Sequence, residues 1–203
     1  AGDYFDSYLR FNFDYDKRNQ KFKTSDGFRS FYTLDVPVIS DTNTVTNFYT
    51  YKNFTEFYEN NITSLTLSLS AANSITGDDI KLSERLTIPS KKLRGFVRGK
   101  IGPKDGSDYI GGNYYAVMNL NSNLPQLFPN AQNVEIGSFI DIGNLWGVDD
   151  ESLNESNTIR SSIGIGVDWY TPVGPLSFSF AQPITKGSND KTETFRFNLG
   201  TTF

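Results

Sequence analysis

Thr194-Phe195-Arg196-Phe197-Asn198-Leu199-Gly200-Thr201-Thr202-Phe203 closes the chain, and its side chains divide by parity. Phe195, Phe197, Leu199, Thr201 and Phe203 share one face. Thr194, Arg196, Asn198, Gly200 and Thr202 share the other. A period of two is the spacing of a strand, in which successive side chains point to opposite faces. One face is apolar and the other polar, so the strand divides two different environments.

The same division recurs upstream. Leu9, Phe11, Phe13 and Tyr15 oppose Arg10, Asn12, Asp14 and Asp16. Tyr32, Leu34, Val36 and Val38 alternate in the same way, as do Leu65, Leu67, Leu69 and Ala71. Later come Tyr114, Ala116, Met118 and Leu120, then Ile163, Ile165, Val167 and Trp169, then Leu176, Phe178 and Phe180. Weaker members are Asn47 to Glu59, whose aromatics change face partway, and Val134 to Trp146. Together these predict about nine strands, each near the ~9–11 residues that cross a bilayer when tilted. Turn clusters separate them at Ser25-Asp26-Gly27, Asp41-Thr42-Asn43, Val173-Gly174-Pro175 and Gly187-Ser188-Asn189-Asp190. Loops alternate between short and long, the longest running from about Ser74 to Gly112.

Composition agrees with a membrane β-barrel and removes much else. The 203 residues include 17 Phe, 11 Tyr and 2 Trp, yet only 37% are apolar and the net charge is −4. Mean hydropathy is −0.42, and no apolar run is long enough for a membrane-crossing helix. A barrel needs apolar residues only at alternate positions. There is no histidine and no cysteine, which excludes His triads, His or Cys zinc sites, thiol nucleophiles and disulfides. No basic stripe interleaves the aromatics, so nucleic acid is not an expected partner. A soluble β-sandwich also alternates, but its inner faces would form a second apolar wall. Here the inner faces are polar, and aromatics sit near strand ends as a membrane girdle would.

Few motifs suggest chemistry. Gly164-x-Gly166 lacks the third glycine and the helix of a dinucleotide fingerprint. Asp149-Asp150-Glu151 reads as a solvated loop run. No catalytic, cofactor-binding or metal-ligating residue is expected, and the chain reads as non-enzymatic. Leu93-Arg94-Gly95-Phe96 is the distinctive stretch of the long loop: arginine offers five fixed donors to a carboxylate, and glycine permits a tight turn.

That stretch, followed by Ile101-Gly102-Pro103-Lys104 and Gly111-Gly112-Asn113, resembles the signature loop of the BamA family of outer-membrane protein assembly factors, in the bacterial surface antigen superfamily. The resemblance continues through Trp169-Tyr170-Thr171-Pro172-Val173-Gly174-Pro175-Leu176, Phe178-Ser179-Phe180-Ala181-Gln182-Pro183 and the closing strand. It implies an all-β fold: an antiparallel transmembrane β-barrel of sixteen strands, of which residues 1–203 would form the C-terminal nine or so. POTRA modules and the first barrel strands would lie outside this sequence. It also implies a bacterial outer-membrane location and assistance to folding and insertion of β-barrel proteins. The implied partners are outer-membrane lipid, nascent β-barrel proteins and, in the full-length protein, accessory assembly lipoproteins; no cofactor is implied. Alternatives are a TamA-type or two-partner secretion transporter of the same superfamily, or a passive porin-like channel.

Residue roles follow the resemblance position by position. The loop of about 74–112 would fold into the lumen, with Leu93, Arg94, Gly95 and Phe96 at its docking tip. Arg94 would pair with acidic wall residues. Asp141 matches one of these; the other, a glutamate in the family, falls at Asn121. Read without the resemblance, Asp141 is a solvated turn aspartate beside Gly143. The terminal strand, with Phe195, Phe197, Leu199, Gly200 and Phe203, would form a lateral gate. Gly200 has two readings: a kink that lets the strand peel away, or a glycine tolerated where a side chain would strike the docked loop.

Overall fold

The computed structural model describes residues 5–21, 23–125, 133–150, 153, 157–172 and 174–199. Nine long strands form one antiparallel sheet in the order β1-β2-β3-β4-β7-β8-β9-β10-β11. These are β1 (Asp6–Asp16), β2 (Gly27–Ser40), β3 (Thr44–Tyr58), β4 (Asn61–Ser74), β7 (Tyr114–Asn123), β8 (Val134–Trp146), β9 (Arg160–Thr171), β10 (Gly174–Thr185) and β11 (Phe195–Leu199). Each strand pairs with its chain neighbour, apart from β4, which pairs with β7 across the long loop. Within that loop, β5 (Lys104–Asp105) and β6 (Asp108–Tyr109) make a small hairpin that the alternation pattern does not reveal. Among the described residues there is no helix. Strands β1 and β11 are the two edges and do not pair with each other among the described residues, so the sheet is an open section of barrel.

The parity of the sequence is the parity of the faces. Leu65, Leu69, Met118, Leu120, Ile140, Ile163, Ile165, Trp169 and Phe180 are exposed on the outer face. Such a surface suits hydrocarbon rather than water. Ser64, Ser68, Ser70, Asn119, Asn121, Asp141, Ser162, Asp168, Ser177 and Ser179 are buried on the lumen face. Prolines keep to positions where a ladder donor can be spared. Pro37 pairs with Tyr8 of β1, beyond the Asp35–Thr46 end of the β2–β3 pairing. Pro183 sits at the irregularity where the β9–β10 register shifts.

Contrary to the polar inner faces expected from the sequence, the lumen wall is not uniformly polar. A buried apolar cluster of Ile88, Leu93, Phe96, Ile101, Tyr115, Val117 and Leu145, with Phe48 and Leu86 against it, lies between the wall and the 75–113 loop. The loop fills the lumen, so wall residues beneath it lose water and become apolar. This explains the two weaker strand patterns. In β3, Phe48 turns inward to meet the loop while Tyr49 and Tyr51 stay with the outward Leu69 and Leu67. In β8, Phe139 and Leu145 are inward and buried at 1% exposure each.

Candidate functional site

Four residues, Leu93 to Phe96, reach the lumen wall where β7, β8, β9 and β10 present small or polar side chains. Leu93 and Phe96 enter the apolar cluster on either side of the turn. Gly95 has φ of +88°, and a Cβ there would come within 3.2 Å of Ala181 Cβ and 3.3 Å of Ser162 Cβ. Both the left-handed backbone and the close approach therefore require glycine. Ala181 of β10 and Ser162 of β9, both small, leave the space that the turn occupies.

Arg94 is held from several directions. Its Nε donates to Asp141 Oδ2 at 2.8 Å and its Nη2 to Asp141 Oδ1 at 2.6 Å, a bidentate pair. Its backbone N–H donates to the same carboxylate at 3.0 Å. Nη2 also donates to Asn121 Oδ1 at 2.7 Å. The side chains of Arg94 and Asp141 are 3% and 0% exposed, so water screens this pair little. Asn119 Nδ2 bridges the wall to the loop, donating to Asp141 Oδ1 at 2.8 Å and to the Lys92 carbonyl at 2.6 Å. Ser162 Oγ donates to the Arg94 carbonyl at 2.6 Å. The guanidinium carbon lies 3.5 Å from the Phe139 ring centroid, a cation–π contact in a desolvated place. That ring needs Gly164 opposite it, because a Cβ at 164 would fall 2.4 Å from Phe139 Cζ.

Asn121 is thus a neutral acceptor to the arginine rather than a gap in its surroundings. Beside it lies a cavity of about 270 Å³ whose lining includes Lys52, Arg18, Lys23 and Glu135. Lys92, in the loop, sits over the Phe48 ring at 4.3 Å, and among the described residues its Nζ has no hydrogen-bond partner. Burial pushes its ammonium down to about 8.

The terminal strand is described as far as Leu199; Gly200 and Phe203 lie outside the described residues. Phe195, Phe197 and Leu199 face outward and are exposed, with Phe178 between Phe195 and Phe197 in an aromatic cluster. Leu199 pairs with Leu176 and Phe195 with Phe180 of β10. A second buried ion pair, with no counterpart in the sequence reading, braces the neighbouring loop. Arg160 Nε donates to Asp190 Oδ2 at 2.7 Å and Nη2 to Oδ1 at 3.0 Å, with side chains 0% and 2% exposed. Arg160 Nη1 also donates to Asn144 Oδ1 at 2.7 Å. The inward parity that Arg160 shares with Ser162 is the one signal that could have found it.

An antiparallel sheet with an apolar outer face, its lumen occupied by an arginine-tipped loop, defines a barrel of the Omp85 superfamily. The model of the Omp85 superfamily domain matches residues 1–203, and the chain belongs to that superfamily. Within it the likeness is to BamA. The chain is 30% identical over 145 residues to the outer membrane protein assembly factor BamA of Neorickettsia risticii, covering 68% of this chain and 19% of that protein. It is 33% identical over 143 residues to BamA of Neisseria meningitidis, covering 55% and 17%. The sorting assembly machinery 50 kDa subunit of Saccharomyces cerevisiae is 31% identical over 119 residues, covering 55% and 25%. The crystal structure of Haemophilus ducreyi BamA lacking POTRA domains 1–3 shares the fold, with a TM-score of 0.84 at 24% identity over 94% of this chain and 41% of that one. The chain spans about a fifth of the length of the curated BamA relatives. It is a BamA-like C-terminal barrel section of the bacterial outer membrane.

Proposed function

We propose that this chain is the seam-bearing part of a larger barrel that folds and inserts β-barrel proteins into the outer membrane. The action is non-enzymatic. The edge of β11 offers backbone N–H and C=O groups to an incoming strand, and in lipid such groups gain strongly from pairing. The loop holds the lumen side of the neighbouring wall rigid, so pairing is templated at the seam. The lumen is filled by Leu93, Phe96 and Ile101, which favours this reading over a passive pore.

The observation that carries the proposal is the buried Arg94–Asp141 pair on a loop packed beside the terminal strand. Relatives named for outer-membrane protein assembly, BamA, and for sorting assembly, in yeast, support it. The proposed partners are nascent β-barrel proteins, the surrounding outer-membrane lipid and accessory assembly lipoproteins. The test is depletion of the full-length protein in its own cells. Barrel proteins should fail to reach the heat-modifiable folded form. Normal assembly of those proteins after depletion would refute the proposal.

A further inference from the structure

The long loop touches more than the wall of β7 to β9. It also runs beside the segment that leads into β11. Phe96 and Thr192 form an antiparallel bridge. Around it, Val97 N–H donates to the Lys191 carbonyl at 2.9 Å, Lys191 N–H to the Lys100 carbonyl at 3.0 Å, and Glu193 N–H to the Gly95 carbonyl at 3.0 Å. Residues 95–100 and 191–193 therefore make a short ladder inside the lumen. The bridge lies two residues from Arg94, so it shares the loop's anchor on Asp141.

Arg196 then carries the connection into the strand itself. It lies on the lumen face of β11, between Phe195 and Phe197, and its side chain is 12% exposed. Its Nη2 donates to the Phe96 carbonyl at 2.7 Å and its Nη1 to the Ser90 carbonyl. Glu193 supplies a counter-charge from the preceding turn. The planar fork spans two backbone carbonyls six residues apart in the loop, a geometry that a lysine's single ammonium does not reproduce. Among the described residues of β11, Asn198 and Leu199 make no hydrogen bond to the loop.

We infer that Arg196 is a positioning residue that fixes the first half of the terminal strand to the docked loop. Residues 195–197 are then held by the loop as well as by the β10 ladder. Loop docking at Arg94 and strand position at Arg196 become one mechanical unit. Undocking the loop would leave residues 195–197 to the β10 ladder alone. This rests on the reading of β11 as the seam strand, and it adds the device that holds that strand in place. The physical basis is additive: three backbone bonds and two charge-assisted ones hold residues 191–196, whereas Asn198 and Leu199, among the described residues, have only the β10 ladder.

The test uses the full-length protein in lipid vesicles with cysteines at the exposed positions 100 and 191, in a chain whose 203 residues contain no other cysteine. The disulfide between them should form readily. Arg196→Met should slow its formation by about tenfold, the weight of roughly one charge-assisted hydrogen bond. Arg196→Lys should restore part of the rate, and Arg94→Ala should slow it as much as Arg196→Met without further loss in the double variant. Hydrogen exchange supplies the readout that a general loss of stability would not give. Amides 194–197 should lose protection in Arg196→Met while those of β9 keep theirs. Wild-type cross-linking in Arg196→Met, or unchanged exchange at 194–197, would overturn the inference. Should Arg196→Met not fold, Arg196→Lys and Arg94→Ala carry the same comparison. Cross-linking reads the loop–strand contact whether or not the protein assembles anything, so its failure is distinct from normal assembly after depletion.

Discussion

Asn121 and Asp141 share one nitrogen of Arg94: Nη2 donates to Asn121 Oδ1 at 2.7 Å and to Asp141 Oδ1 at 2.6 Å. A neutral amide therefore stands where the resemblance implies a second carboxylate, and it fills the acceptor role without the charge. Asn121→Leu should weaken docking by about 1–3 kcal/mol, the range for a charged donor losing a buried acceptor. Asn121→Glu should strengthen it, because the adjacent cavity gives room and Lys52 on its lining supplies a counter-charge. Urea midpoints of the full-length barrel in vesicles check both. A weaker Asn121→Glu barrel would show that the amide is the better fit.

Gly95→Ala combines a left-handed backbone with contacts near 3.2 Å. Strain of this kind typically costs about 1–3 kcal/mol. The loop should become cleavable by protease between residues 90 and 110 while the strands stay protected. Protection equal to wild type would mean that the turn can relax without leaving the wall.

Arg160 and Asp190 form a second buried pair beside the docked loop. Asp190→Ala should cost about 3–5 kcal/mol, because the orphaned guanidinium stays desolvated. With Arg94→Ala the combined loss should fall short of the sum, because residues 191–193, next to Asp190, ladder with residues 95–100 of the docked loop. Full additivity in a combined variant would show that the two loops move separately.

Lys92 gives the docking a pH dependence of known sign. Its ammonium is pushed by burial from 10.5 to about 8. Below about 8 both docked and undocked forms are charged, and the full burial penalty weakens docking. Between about 8 and 10.5 only the undocked form keeps the proton, so docking strengthens as pH rises. A nitroxide at the exposed position 107 should lose mobility across that range. In Lys92→Met it should be equally immobile at both ends, and a persistent pH response there would assign the effect to another group.

Much of the fold is legible in the alternation, because each strand separates lipid from lumen and every second residue reports which. Leu65 to Ala71 and Ile163 to Trp169 show this without help. The pattern blurs at Phe48, Phe139 and Leu145, where a distant loop, not solvent, covers the inner face; periodicity carries no information about such a cover. The site is less legible. Arg94 and Asp141 stand 47 residues apart, and nothing in their spacing makes them neighbours; only the family resemblance brings them together. Arg160 and Asp190 lack even that. Asp190 reads as one more residue of a Gly-Ser-Asn-Asp turn, since a turn aspartate and a buried counter-ion look alike until the partner strand is placed. Gly164 reads as a tolerated strand glycine, whereas its missing Cβ is the space that Phe139 needs.

Arg94 and Asp141 dock the loop as a buried pair, and a double-mutant cycle on the full-length barrel tests that pairing. Arg94→Ala and Asp141→Ala should each lower stability by about 3–5 kcal/mol, since each leaves the other charge buried and unpaired. The double variant should cost little more than either alone, giving a coupling of about 3 kcal/mol. An exposed pair would show about 1 kcal/mol or less. Additive losses, with no coupling between Arg94 and Asp141, would contradict the claim.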